Sequence, residues 1–219
     1  MPRERAPDYD VKLEVVCDAA ARLFAASGYP LAKMAEIAAA CGVSKSMLYH
    51  YFPTKDDLLF HMIREHLLQV IDDLEETVAS DSQRPDERLV AFVQTFVRRS
   101  AGARQRNLVA MNDAKFLSAG HRAEIRDLER KIIDLIALHL RDLNPQCPDK
   151  LLKVFTFFLL GILNWSDSWY DPEGEIRPDE LATYISELYL GGFSGIVPVS
   201  QVGKPRVGEG LTIFGSYST

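Results

Sequence analysis

Residues 34–60 read MAEIAAACGVSKSMLYHYFPTKDDLLF, and the fold class follows from this stretch. A short apolar-periodic segment from Met34 to Ala40 stops at Cys41-Gly42. A second runs from Ser44 to Tyr51, Phe52-Pro53 ends it, and Lys55 opens a third. Glycine closes a helix because it enters the left-handed backbone region without a Cβ penalty. A serine oxygen at position 44 can accept from the first free amides of the next helix. Two short helices around a glycine turn form a helix-turn-helix, whose second helix enters the DNA major groove. Met34, Ile37, Ala38, Val43 and Leu48 are the expected core between them. Lys45 and Ser46, at the start of the second helix, are candidates for base edges. Tyr49, His50, Tyr51 and Lys55 are candidates for sugar and phosphate, together with the helix N-terminus at Ser44.

The remainder reads as helix throughout. Residues 10–27 place Val15, Val16, Ala19, Ala20, Leu23 and Phe24 on one face and stop at Ser27-Gly28. TKDD, residues 54–57, resembles a capping box. The helix it opens carries Leu58, Leu59, Met62, Ile63, Leu67, Val70, Ile71 and Leu74 in one stripe, long enough to run into a second domain. Pro85 with Asp86 and Glu87 starts another helix, expected to end near Arg98-Arg99. A shorter one is expected over residues 105–116, and a longer one over 121–143. Residues 149–170 are apolar on nearly every side, so that helix needs a cover on every side. A second copy of the chain is the simplest cover, and a homodimer through this helix and the next (181–192) is expected. The domains are therefore read as 1–57, a DNA-binding helix-turn-helix unit, and 58–195, a ligand-binding and dimerisation unit. Residues 196–219, rich in glycine, proline and serine, are read as a disordered tail.

The 219 residues carry a net charge of −6, with 47% hydrophobic and 26% charged residues. This is ordinary soluble composition. The acidic balance permits DNA binding without arguing for it. Residues 31–55 hold Lys33, Lys45 and Lys55 against Glu36, three positive against one negative, and Arg3 and Arg5 form a basic arm. Binding depends on such local charge, because each neutralised phosphate releases counterions. The start, MPRERAPDYD, lacks the apolar core of a signal peptide. The longest apolar run, Val154 to Trp165, is too short for a bilayer. Cys17, Cys41 and Cys147 share no motif spacing and read as reduced thiols. A cytoplasmic protein without membrane association is expected.

The run IAxxCGVSKxxLYHYFxxKDxLL, from Ile37 to Leu59, resembles the TetR family of transcriptional regulators. The resemblance is specific over the N-terminal third and architectural beyond it. It implies an all-α, dimeric repressor that binds a palindromic double-stranded DNA operator and responds to a small molecule. The family usually caps the helix before the turn with Thr or Ser. Here Ala32-Lys33 stands there, which makes Lys33 a substitute phosphate contact.

A second resemblance lies at Trp165-x-x-x-Trp169-Tyr170 followed by x-Pro-x-Gly. It is similar to TetR regulators of fatty-acid, steroid and phenylacetate breakdown, and RAPDYD (5–10) resembles the phenylacetate subgroup. These sense acyl-CoA thioesters, which implies an apolar cavity beside cations for phosphate. Phe92, Phe96, Met111, Phe116, Phe155, Phe158 and Leu159, with Asn164, Trp165 and Trp169, are the candidates for the cavity. Arg122, Arg126 and Arg130, with Arg98, Arg99, Arg104 and Arg106, are the candidates for the phosphates. Arg126 and Arg130 could equally pair with acids on their own helix, and Trp165 could be plain packing.

No catalytic triad, carboxylate pair or phosphate loop stands out, and the five histidines show no metal spacing. No cofactor or metal is expected. Two other functions stay open: a multidrug-type sensor of hydrophobic cations, and an acyl-CoA enzyme with an accessory helix-turn-helix.

Overall fold

A computed structural model describes residues 8–78 and 84–193. The basic arm at Arg3 and Arg5 and the tail at 196–219 lie outside the described residues. The described chain is helical: α1 (Asp8–Ser27), α2 (Met34–Ala40), α3 (Lys45–Tyr51), α4 (Lys55–Val78), α5 (Pro85–Asp113), α6 (Ala119–Leu143), α7 (Asp149–Trp169) and α8 (Pro178–Phe193). A 3-10 turn at Ala114–Phe116 joins α5 to α6.

The turn between α2 and α3 is built as its residues dictate. Gly42 has φ +68°. Its N–H donates to Ala39 O at 3.2 Å, and Val43 N–H donates to Ala38 O at 3.0 Å. These two bonds are the Schellman closure, which satisfies carbonyls that a helix end leaves unpaired. Ser44 Oγ accepts from Met47 N–H at 3.1 Å and caps α3. The α2 N-terminus lacks a hydroxyl cap, and Glu36 instead reaches back to Lys33 N–H at 3.1 Å. Thr54 and Asp57 cap α4 reciprocally: Asp57 N–H donates to Thr54 Oγ1 at 3.0 Å, and Thr54 N–H donates to Asp57 Oδ2 at 3.0 Å.

Two apolar cores share one helix. The first gathers Val16, Ala20, Phe24, Ile37, Leu48 and Phe52 around Leu58, Leu59, Met62 and Ile63 of α4. Val109, Leu117 and Ile125, from far along the chain, close it. The second gathers Val70, Ile71 and Leu74 of α4 with residues of α5, α6, α7 and α8. Leu67 packs against both.

Two expectations change. The helices expected at 85–99 and 105–116 are one, α5, with a kink at Ala103 (φ −123°, ψ 20°). Gly102 lowers the cost of a bend there, and side chains bonded on either side of it hold the bend open. The apolar run at 154–165 is only part of α7, whose 21 residues are long and apolar enough, on length and composition alone, to cross a membrane. Its buried Thr156, Ser166 and Asp167 nevertheless bond within the protein, and the helix packs on α5, α6 and α8.

Gly42→Ala meets no steric obstacle, since a Cβ there has nothing within 4 Å. Only the left-handed backbone resists it, so the variant should lose about 1–2 kcal/mol of stability in thermal or denaturant unfolding. An unchanged midpoint would contradict the turn geometry.

Candidate DNA-reading face and effector pocket

The helix-turn-helix presents α3 outward. Leu48 is its buried anchor, and Lys45, Ser46, Tyr49 and His50 are exposed on it. Lys45 Nζ sits 5.8 Å from the Tyr49 ring centroid. His50 and Tyr51 contact each other at 6.1 Å, with Tyr51 half-buried against the first core. Ser44 is exposed, and its oxygen is taken by the cap. Lys33 is exposed beside Glu36, their charged groups 3.9 Å apart.

Lys55 is placed differently from the other candidates. Its Nζ donates to Tyr29 O at 2.7 Å, Ala32 O at 2.9 Å and Pro30 O at 3.3 Å, and lies 4.3 Å from the Tyr29 ring centroid. An ammonium has three protons, and all three are spent on the loop between α1 and α2. Desolvation lowers its pKa from the ordinary lysine value. In this geometry Lys55 clasps the head together rather than reaching outward for a phosphate.

A pocket of about 460 Å³ opens among α4, α5, α6 and α7. Ile63, Leu67 and Val70 wall it from α4, Phe96, Ala110 and Met111 from α5, Ile132 and Ile133 from α6, and Phe157, Leu160, Gly161 and Trp165 from α7. Four polar residues interrupt this lining: His66, Asn107, Glu129 and Asn164. The size lies within the range of small-molecule sites.

Of the residues singled out in the sequence, Phe96, Met111, Asn164 and Trp165 line this pocket. Phe92 does not. It is fully buried in the second core and stacks on His139, ring centroids 6.0 Å apart. Phe116 stacks on Tyr29 of the head at 5.4 Å. Phe155, Phe158 and Trp169 line a separate open groove of about 750 Å³ between α7 and α8, shared with Phe157, Trp165 and Leu188. Leu159 is buried in the second core.

The arginines are not brought together. Arg98 pairs with Asp179, Arg99 with Asp73, and Arg106 with Glu14 and Asp18. Arg104 Nε donates to Asp167 O at 2.7 Å. Arg122 donates to Lys115 O at 3.2 Å, and Arg130 pairs with Asp127 at 2.8 Å in the open. Arg122, Arg126 and Arg130 share one exposed face of α6, four residues apart. Arg126 and Arg130 flank Glu129 and Ile133 at the pocket wall on helical spacing. Burial raises the Glu129 carboxyl pKa, with Arg126 opposing.

A buried polar network beside the pocket was not anticipated. Asp167 accepts at Oδ2 from Ser100 Oγ at 2.8 Å and from Asn107 Nδ2. Asn107 Oδ1 lies 3.3 Å from His66 Nε2. Desolvation raises the Asp167 pKa, opposed by the bonds from Asn107 and Ser100 and by the Arg104 charge. The network fastens both sides of the α5 kink to α7. Its trace in the sequence was a polar trio, Asn164, Ser166 and Asp167, in the most apolar helix, with Ser100 and Asn107 seven residues apart.

Asp56, Asp57 and His121 bring possible metal ligands within 4.8 Å of one another. Their atoms already have work. Asp57 caps α4, and Asp56 accepts from Ser118 N–H at 2.9 Å and meets His121 Nδ1 at 2.5 Å. The trio fits a clasp between the starts of α4 and α6 better than an ion site.

Residues 16–62 match the model of bacterial regulatory proteins of the tetR family, and residues 82–193 match the tetracyclin repressor-like C-terminal domain. The HTH-type transcriptional regulator HbdR of Aromatoleum sp. (strain CIB) is 29% identical over 58% of this chain and 55% of its own length. The Fatty acid metabolism regulator protein of Bacillus subtilis (strain 168) is 22% identical over 61% of this chain and 66% of its own length. The chain thus spans between half and two thirds of these curated relatives. A TetR-family transcriptional regulator from Bordetella parapertussis 12822 has the same fold, with a TM-score of 0.78 and 29% identity over 87% of this chain and 100% of that one. TetR-family chains are DNA-binding regulators and not enzymes. With a helix-turn-helix head and a helical second domain matching in order and extent, the chain belongs to the TetR family of bacterial transcriptional regulators.

Proposed function

We propose that this chain is a cytoplasmic, homodimeric repressor that leaves its palindromic operator when an acyl-CoA thioester fills the pocket. One observation carries the reading: the helices that wall the pocket also grip the head. The end of α5 past Ala103 gives Ala110 and Met111 to the pocket and Val109 to the head core. On the same segment Arg106 is ion-paired to Glu14 and Asp18 of α1. A ligand that prefers one placement of this segment shifts the head by that differential affinity alone. The apolar pocket suits an acyl group. The exposed stripe of Arg126 and Arg130 beside its wall suits the phosphates of coenzyme A, with Phe96, Met111, Asn164 and Trp165 around the acyl end. A relative named for fatty-acid metabolism is in keeping with this ligand class.

The dimer reading rests on the apolar face of α7 and α8. Phe157, Phe158, Trp169 and Tyr184 are exposed there, Trp165 is 65% exposed and Leu188 69%. An exposed apolar patch of this kind supports an interface, and a two-fold dimer would place two heads on adjacent major grooves. A second reading, a sensor of hydrophobic cations, is favoured by Glu129, an acid in the pocket wall near Phe96, Phe157 and Trp165.

Lys45→Ala should weaken operator binding and relax the sequence preference at the base pair it reads. Lys55→Met should lower the unfolding midpoint and leave the salt slope unchanged. A slope change for Lys55→Met would return it to the phosphate contacts. Phe157→Glu or Leu188→Glu should sediment as monomer or aggregate, whereas a monomeric parent protein at micromolar concentration would refute the dimer. Phenylacetyl-CoA and medium-chain acyl-CoAs at about 100 times their dissociation constant should add roughly 2.7 kcal/mol of stability and release the operator. The free acids should do far less, and Arg126→Ala or Arg130→Ala should weaken the thioesters alone. Stabilisation by lipophilic cations in place of acyl-CoAs, lost in Glu129→Gln, would select the second reading.

A further inference from the structure

His66 lines the pocket from α4 and is only 4% exposed. Its Nε2 faces Asn107 Oδ1 at 3.3 Å. Its Nδ1 is buried and has no hydrogen-bond partner among the described residues. A buried, unpaired ring nitrogen costs free energy until something bonds it.

The proton position on this ring follows from its neighbours. Asp167 Oδ2 is the acceptor of this network. The Asn107 amide therefore turns its Nδ2 to Asp167 Oδ2, where Ser100 Oγ also donates at 2.8 Å. That leaves the Asn107 oxygen toward His66, so Nε2 carries the proton. Desolvation lowers the imidazole pKa against the bond from Asn107, and the repulsion of Arg106 and Arg99 adds to it. The ring is then neutral near pH 7, and Nδ1 holds a lone pair.

We infer that the effector presents a hydrogen-bond donor to His66 Nδ1, supplied by a hydroxyl on its acyl group. The inference rests on the acyl-CoA reading and narrows it. A thioester oxygen accepts only, so an unsubstituted acyl group leaves Nδ1 unpaired. The amide N–H of the pantetheine arm is the other source of the same donor. Asp167, Ser100 and Asn107 act as positioning residues, which fix through Nε2 the tautomer that leaves Nδ1 an acceptor. A site built to bond a hydroxyl discriminates against the analogue without it far more sharply than an apolar wall does.

The test compares matched ligands by calorimetry on the full chain: 3-hydroxyhexanoyl-CoA against hexanoyl-CoA, and 4-hydroxyphenylacetyl-CoA against phenylacetyl-CoA. At least one hydroxylated member should bind about tenfold tighter or more than its partner. His66→Phe should abolish that preference, and His66→Gln, whose amide oxygen can accept, should keep part of it. Equal binding within each pair, with His66→Phe weakening all four and His66→Gln restoring them, assigns the donor to the pantetheine amide and supports the acceptor site. Equal binding that His66→Phe leaves unchanged overturns the site while the acyl-CoA reading stands. Failure of all four to bind the parent protein removes the acyl-CoA reading and this inference with it. Nitrogen NMR of the ligand-free protein gives a check that needs no variant. It should show His66 protonated at Nε2 alone, and a ring protonated at Nδ1 would overturn the inference.

Discussion

Helix α4 has to satisfy two cores at once, and the rest of the molecule is arranged around that constraint. Its first turns fill the head with Leu58, Leu59, Met62 and Ile63, and its later turns fill the second domain with Val70, Ile71 and Leu74. Both cores are packed, and packed interiors do not deform continuously. A rotation or shift of α4 in one domain is therefore passed to the other instead of being absorbed between them. The reciprocal Thr54–Asp57 cap and the Lys55 clasp bind the start of α4 to the head. The contacts of Asp56 with Ser118 and His121, and of Arg64 with Glu124, bind the same region to α6.

The second link is the far end of α5. Helix α5 packs on both α8 and α1 and kinks at Ala103. Asp167 holds the bend through Ser100 on one side and Asn107 on the other, while Arg104 bonds its carbonyl. A buried carboxylate is expensive unless its hydrogen bonds are made, so the bend and the network depend on each other. The pocket is walled by both α4 and this segment, with the polar edge of the network showing through its apolar wall at His66 and Asn107.

Helix α7 divides its surface between three environments. Leu159 and Leu163 face the second core, Leu160 and Asn164 the pocket, and Phe158 and Trp169 the open groove with α8. Phe157, Gly161 and Trp165 border both the pocket and the groove. In the proposed dimer, a ligand in one protomer would thus lie one layer of side chains from the partner.

The sequence by itself determined the local structures, because local rules govern them. Gly42 demanded a left-handed turn, Ser44 and Thr54 demanded caps, and the stripe on α4 demanded a long amphipathic helix, all within a few residues of chain. The all-helical class, the helix-turn-helix and the outward face of α3 were legible for that reason. Periodicity also marked α7 as over-apolar. It could not say which aromatic faced the pocket, the groove or the core, since Phe92, Phe96, Phe116 and Phe158 are alike as sequence and lie in four different places. Charge was the least legible. Seven arginines were candidates for the phosphates, but six meet partners within the protein, and those of Arg98, Arg104 and Arg106 lie more than sixty residues away. Lys55 was read as a phosphate contact, whereas the fold surrounds its ammonium with three carbonyls of the loop between α1 and α2. Only the tertiary structure decided these, because the worth of a charged or polar side chain is set by its partners in space, and nearest neighbours in sequence do not reveal them.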